Sequence, residues 1–226
     1  MAKQELFERS PIRAFDSVAN GGLKAGELGL VTAKKGLGKT AVLVQFGMDT
    51  LLNGKQLVHV SFDQHSANVI SWYDGIYTEI SKKKSIQNAA EVKEQITRNR
   101  TILNFNQDNF NIEKVVNTLN ALKAGGINVA GVVIDNVDFS KVKETDLQAV
   151  SSYAKATKSK IWMSSTVSGD KLADSAPKAL LPYFSGVVHL ASKNKETILT
   201  ILKMGKAENI EESLKLDPKT LLICSK

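Results

Sequence analysis

The 226 residues predict an α/β fold: a mostly parallel, twisted sheet flanked by helices, with antiparallel strands at its C-terminal end. Short apolar segments rich in β-branched residues recur at 28–32, 57–62, 129–134 and 161–164, and each runs into a turn or a polar cluster. Amphipathic helical patterns lie between them. Continuous apolar runs suit strands covered on both faces, which is the condition of a parallel sheet. Beyond Pro182 the helical patterns cease, and 187–190, 197–202 and 221–224 read as strands in succession.

The helices are expected at 39–52, 67–80, 90–98, 112–124 and 146–157, with Asn53-Gly54 and Gly125-Gly126 standing where two of them should stop. A composition of 42% hydrophobic and 23% charged residues excludes a disordered tail, a collagen-like fibre and a disulfide-stapled miniprotein. A chain of this length can bury about 70% of its surface in one core. With 4 Pro and 15 Gly spread out there is no linker, so residues 1–226 are expected to form a single domain. The one cysteine, Cys224, can form no internal disulfide. No stretch approaches 18 apolar residues, and the opening MAKQELFERS is charged where a signal peptide needs its apolar segment, which predicts a cytoplasmic protein without a membrane segment. Thirty basic against 23 acidic residues give a net charge of +7, which favours nucleotide phosphates, nucleic acid or acidic protein surfaces as partners. The run Lys82-Lys83-Lys84 reads as a solvated loop.

After the first strand comes Ala33-Lys34-Lys35-Gly36-Leu37-Gly38-Lys39-Thr40, then an apolar helix. This is GxxxxGK[ST] with Ala in place of the first Gly, in the strand–loop–helix setting the motif requires. The glycines let backbone N–H groups curl round phosphate oxygens, and the helix N-terminus adds the positive end of its dipole. Lys39 is then expected to reach the β- and γ-phosphates and the Thr40 hydroxyl to hold Mg²⁺. Ala33 fits provided its φ stays negative. Lys34 and Lys35 either add charge near the phosphates or point into solvent.

The strand Gly131-Val132-Val133-Ile134-Asp135 ends in a carboxylate, the pattern of a Walker B strand, and Asp135 is the second expected Mg²⁺ ligand. A third acid, Asp63, ends the strand that begins near Leu57. It either polarises a water for attack on the γ-phosphate or caps the following helix. His59, His65 and His189 have no zinc-site spacing. Trp72, Tyr73 and Tyr77 fall at helical spacing and are expected in the core or an interface rather than as an adenine clamp.

The segment SPIRAFDSVANGGLKAGELGLVTAKKGLGKTAVLVQF resembles the opening of the RecA-like ATPases of the KaiC, RadA and DnaB group. Pro11, Phe15-Asp16, Gly21-Gly22-Leu23 and Gly26-Glu27 stand where that group carries G..ALD.L..GGL..GE, and the Ala at the loop's first position is similar to DnaB-type helicases. The resemblance spans about residues 10–224. It implies Mg-ATP as ligand, a homo-oligomer such as a hexameric ring, and further roles. Asp63, with Gln64 beside it, occupies the place of the group's catalytic glutamate, one methylene short, and a reach reduced by about 1.5 Å implies slow hydrolysis. Ser164 and Ser165 stand at the strand end that senses the γ-phosphate, or else simply enter a Ser-rich turn. Lys203 matches the lysine of a KxR finger that reaches a neighbour's nucleotide, whereas Gly205 replaces the arginine and Lys206 follows one residue on. The loops at 139–145 and 167–182 stand where relatives bind nucleic acid. They mix Lys141, Lys143, Lys171 and Lys178 with Glu144, Asp170 and Asp174, and read better as mobile polar loops. The expected function is therefore a slow Mg-ATPase. The alternatives are an ATP-binding regulatory module acting on a protein partner, and an accessory ATPase of DNA recombination or a helicase.

Overall fold

The computed structural model describes residues 6–8, 10–82, 89–105, 111–169, 178–208 and 212–225. In chain order these form α1 (Ile12–Val18), β1 (Leu28–Ala33), α2 (Lys39–Leu52), β2 (Gln56–Ser61), α3 (Ser66–Ser81), α4 (Ala89–Arg98), β3 (Arg100–Asn104), α5 (Ile112–Ala124), β4 (Val129–Asp135) and α6 (Glu144–Thr157). Then follow β5 (Lys160–Thr166), a 3₁₀ helix (Lys178–Tyr183), β6 (Gly186–Lys193), β7 (Glu196–Met204), β8 (Ala207–Glu208), β9 (Ser213–Leu216) and β10 (Ile223–Cys224). The strands form one sheet in the order β10-β9-β7-β6-β1-β5-β4-β2-β3, with β8 on β7. Pairing is parallel from β3 through to β6 and antiparallel from β6 to β10, as the sequence predicts.

Every residue of β1 is buried, because helices cover both its faces. On one face α2 lies against the sheet, and Phe46 stacks on Trp162 of β5 at 4.1 Å, with Phe15 of α1 edge-on to Phe46 at 5.0 Å. The indole fits because its neighbour on β1 is Gly29, where an added Cβ would lie 2.3 Å from the ring. Val69, Tyr73 and Ile76 of α3 and Val92 and Ile96 of α4 join this core, which is where the aromatic spacing placed Tyr73. On the other face Val115 and Leu119 of α5 and Leu147 and Val150 of α6 pack with Val132, Ile134, Ile161 and Met163.

The C-terminal strands are fastened to α2 by one buried side chain. Gln45 donates through Nε2 to Leu221 O at 3.0 Å and accepts at Oε1 from Ile223 N–H at 2.8 Å. The expected strand at 221–224 shortens to β10, since Leu221 has φ +57° and closes a turn in which Asp217 Oδ1 accepts from the N–H groups of Lys219 and Thr220. Among the described elements, the 3₁₀ helix, β8 and three others had no sequence expectation. β3 is a half-buried edge strand beginning in Arg and ending in Asn, β9 is four residues long, and α1 is a two-turn helix without a side-chain N-cap. The helix expected at 146 starts at Glu144, because the Asp146 carboxylate accepts from Lys143 N–H at 2.8 Å and caps the turn before it. Of the lysine run, Lys82 is described and pairs with Glu79, while 83 and 84 lie outside the described residues.

Candidate nucleotide site

The site grows from the C-terminal end of β1. Ala33 remains in the strand without positive φ, which is the condition its replacement of glycine had to meet. The chain then turns through Gly36 (φ +86°) and Gly38 (φ +91°), left-handed positions that glycine takes without strain. At Gly36 the requirement is conformational only, since an added Cβ would meet nothing within 4 Å. Gly38 is the N-cap of α2 and offers no side-chain acceptor to the first-turn N–H groups, which leaves them for an anionic ligand.

Lys39 opens α2 with 9% exposure, and its Nζ donates to Ala33 O at 3.3 Å and Lys34 O at 3.4 Å. Burial pulls the ammonium pKa below the usual lysine range, while Asp135 and Asp63 act in the other direction. Thr40 Oγ1 donates to Asp135 Oδ2 at 2.7 Å, and Ser164 Oγ donates to Asp135 Oδ1 at 2.5 Å. Asp135 is 2% exposed, so both its oxygens are committed to hydroxyls in a dry setting. Gln64 Nε2 donates to Thr40 Oγ1 at 3.3 Å. The donor set of a hydroxyl and a carboxylate at the mouth of a phosphate loop consists of hard oxygens, which fits Mg²⁺.

Asp63 stands at the rim, exposed along one side. Its carboxyl is pushed above the usual range by partial burial first and by the charge of Asp135 second, with Lys39 and Lys35 pulling it back. Asn136 Nδ2 donates to Asp63 Oδ2 at 3.0 Å. The structure thus gathers Lys39, Thr40, Asp135, Ser164 and Gln64, with Asp63 adjoining.

The two serine candidates part company. Trp162 belongs to the α2-side core and Met163 to the opposite one, so alternation sends Ser164 into the site and Ser165 to the far face. Lys203 on β7 is opposite Val187, which is opposite Leu30, three residues back from Ala33 along β1 and two strands away. It is not brought to the phosphate loop of its own chain.

In the loop at 139–145 the polar residues are exposed, as expected, and two apolar residues are buried. Phe139 and Val142 are buried at 5% and 9% exposure, and Phe139 meets Phe184 edge-on at 6.0 Å. In the second loop, Asp170, Lys171 and Asp174 lie outside the described residues, and 178–182 enters the 3₁₀ helix.

Sequence reasoning missed Asn136 altogether and noted Gln64 only as a neighbour. The available signal was an Asn directly after a strand-ending Asp, a residue that tolerates the left-handed conformation. Also unforeseen was a buried pair beside the site: His59 Nδ1 lies 3.0 Å from Tyr73 Oη, with the Arg100 guanidinium 4.9 Å from the Tyr73 ring centre. Burial lowers the His59 pKa from 6.5 to about 4, with Arg100 lowering it further and Asp135 opposing.

The unfolded chain therefore takes up a proton at His59 between pH 6.5 and about 4 where the folded chain does not. The resulting stability is fully present above pH 6.5 and is lost as pH falls towards 4, by about 3 kcal/mol. Asp16 and Asp49, both raised by burial, act in the opposite sense, so the measurement is a comparison. His59→Leu is expected to flatten the fall in denaturant-derived stability across this range relative to the wild type, and an unchanged slope would contradict the assignment.

A glycine-rich strand–loop–helix with an invaginated lysine, facing a carboxylate at the end of a nearby parallel strand, defines a P-loop nucleotide-binding protein. A family model described as "ATPase: KaiC" matches residues 9–162, over half of the chain. The chain belongs to this family of RecA-like P-loop ATPases and is an ATP-binding protein. The match takes in Lys39, Asp63 and Asp135 and stops before Ser164 and Lys203. Comparison with curated proteins gives no match. Among the described residues no helix is long and apolar enough to cross a membrane.

Proposed function

We propose that the chain, as a single domain over 1–226, is a slow Mg-ATPase. Residues Ala33, Lys34, Lys35, Gly36, Leu37, Gly38, Lys39 and Thr40 receive the phosphates, and Thr40 with Asp135 would hold Mg²⁺, which would supply neutralisation of phosphate charge. The observation that carries the reading is the Thr40–Asp135 hydrogen bond of 2.7 Å at the mouth of the Gly36–Gly38 turn. Asp63 accepts the proton of the water whose oxygen bonds to the γ-phosphorus, while the bond from that phosphorus to the β-phosphate bridging oxygen breaks and ADP leaves. The raised pKa of Asp63 makes it a better proton acceptor than an ordinary aspartate. Its short side chain limits its reach.

The resemblance of Lys203 to a finger lysine supports a role at the nucleotide of a second copy in a self-assembled form, and Gly205 in place of an arginine predicts weak coupling between copies. A second reading, an ATP-loaded regulatory module acting on a protein partner, is favoured by these same departures at Asp63 and Gly205. Calorimetry with ATP with and without magnesium, followed by single-turnover phosphate release, tests both. Magnesium-dependent heat with slow release supports the ATPase, and ATP retained intact for hours supports the module. No heat and no thermal shift would overturn the site.

A further inference from the structure

We infer that Asn136 is a positioning residue for the Asp63 carboxylate, tying the end of β2 to the end of β5. Asn136 directly follows Asp135 and has φ +58°, a left-handed conformation that asparagine tolerates better than most residues. Its backbone N–H donates to Ser164 Oγ at 2.9 Å, and the next residue is fixed by Val137 N–H donating to Ser164 O at 2.7 Å. From this fixed turn the side-chain amide works at both ends. Nδ2 donates to Asp63 Oδ2 at 3.0 Å, and Oδ1 accepts from Thr166 Oγ1 at 3.3 Å.

A turn needs only the left-handed backbone, which glycine or aspartate also supplies. Donating to a carboxylate while accepting from a hydroxyl needs an amide. The charged groups around Asp63 are Asp135 of β4, Lys39 of α2 and Lys35 of the phosphate loop. Asp135 repels the carboxylate and the lysines attract it, so an untethered Asp63 at the rim would follow those charges. The amide holds Oδ2, the Asp63 backbone N–H also donates to the carboxylate, and its exposed side stays open to a water. Because the same amide accepts from Thr166, two residues past Ser164 on β5, displacement of the β5 end is passed to Asp63.

The role in turnover rests on the reading of Asp63 as the base; the tether itself does not. Asn136→Gly keeps the backbone conformation and removes the amide, whereas Asn136→Asp keeps an acceptor, removes the donor and places a like charge beside Asp63. In single-turnover assays Asn136→Gly is expected to lower the rate about 10- to 100-fold while the Mg-ATP Kd changes by less than about 2-fold, and Asn136→Asp to lower the rate further. Carbon-13 NMR titration of the Asp63 carboxyl, made without nucleotide, is expected to move upward in both variants, because a donor to the charged form is lost.

If Asp63→Asn leaves turnover intact, the base reading fails, and the tether then stands or falls on the titration alone. An Asp63 titration unmoved in both variants overturns the inference. So does a loss in which rate, Kd and melting temperature fall together while the Asp63 titration stays put, the mark of a mere turn-former.

Discussion

Lys39→Ala is expected to weaken ATP binding about 10²- to 10³-fold, the effect of losing charge-assisted hydrogen bonds to phosphate worth about 3–4 kcal/mol together. The wild-type ammonium is nearly enclosed and rests on Ala33 O and Lys34 O, two carbonyls of the very loop that turns round the phosphates. Folding charges a cost for this, since burial disfavours the ammonium. The same substitution is therefore expected to leave the melting temperature of the nucleotide-free protein unchanged or higher, so affinity and stability separate. Lys39→Arg is no rescue, because a planar fork cannot replace a compact point charge within the loop. Calorimetry and thermal shift, run in parallel, check both halves; an unchanged Kd would remove the lysine from the site.

Asp63→Asn is expected to cut single-turnover hydrolysis by about 10²- to 10⁴-fold with ATP affinity kept within a few-fold, because the amide matches the carboxylate in size but accepts no proton. The hydrolysis rate of the wild type should fall with acid from a pH above the ordinary aspartate range, since partial burial and the nearby Asp135 both raise the Asp63 pKa. Asp63→Glu tests the short reach itself: if it limits turnover, the added methylene raises the single-turnover rate, and an unchanged rate would place the limit elsewhere. A rate untouched by Asp63→Asn would assign proton acceptance elsewhere.

Much of this architecture is legible because local signals agree with tertiary ones. The helices at 39–52 and 112–124 have the bounds expected for them, with Gly38 and Asn111 at their starts and Asn53 and Gly125 at their ends. The phosphate loop and Asp135 are legible for a similar reason: each is a short motif tied to the end of a buried strand. What the sequence hid is long-range. The Asn136–Asp63 bond joins residues 73 positions apart, and no pattern within either segment announces it. Ser164 and Ser165 could not be told apart until the facing of Trp162 set the phase of β5. The edge strand β3 was invisible because only half-burial, not an apolar run, marks it. At 139–145 the exposed polar residues were legible, whereas the burial of Phe139 and Val142 was not.

Gln45 grips Leu221 and Ile223, 176 and 178 positions further along the chain. During synthesis, then, the glycine turn and its helix leave the ribosome long before the strand that clasps them exists. Contacts of such sequence separation form late and slow the route to the native state. A triphosphate that recognises only the finished cradle would act on the last step of that route, drawing newly made chains forward by mass action.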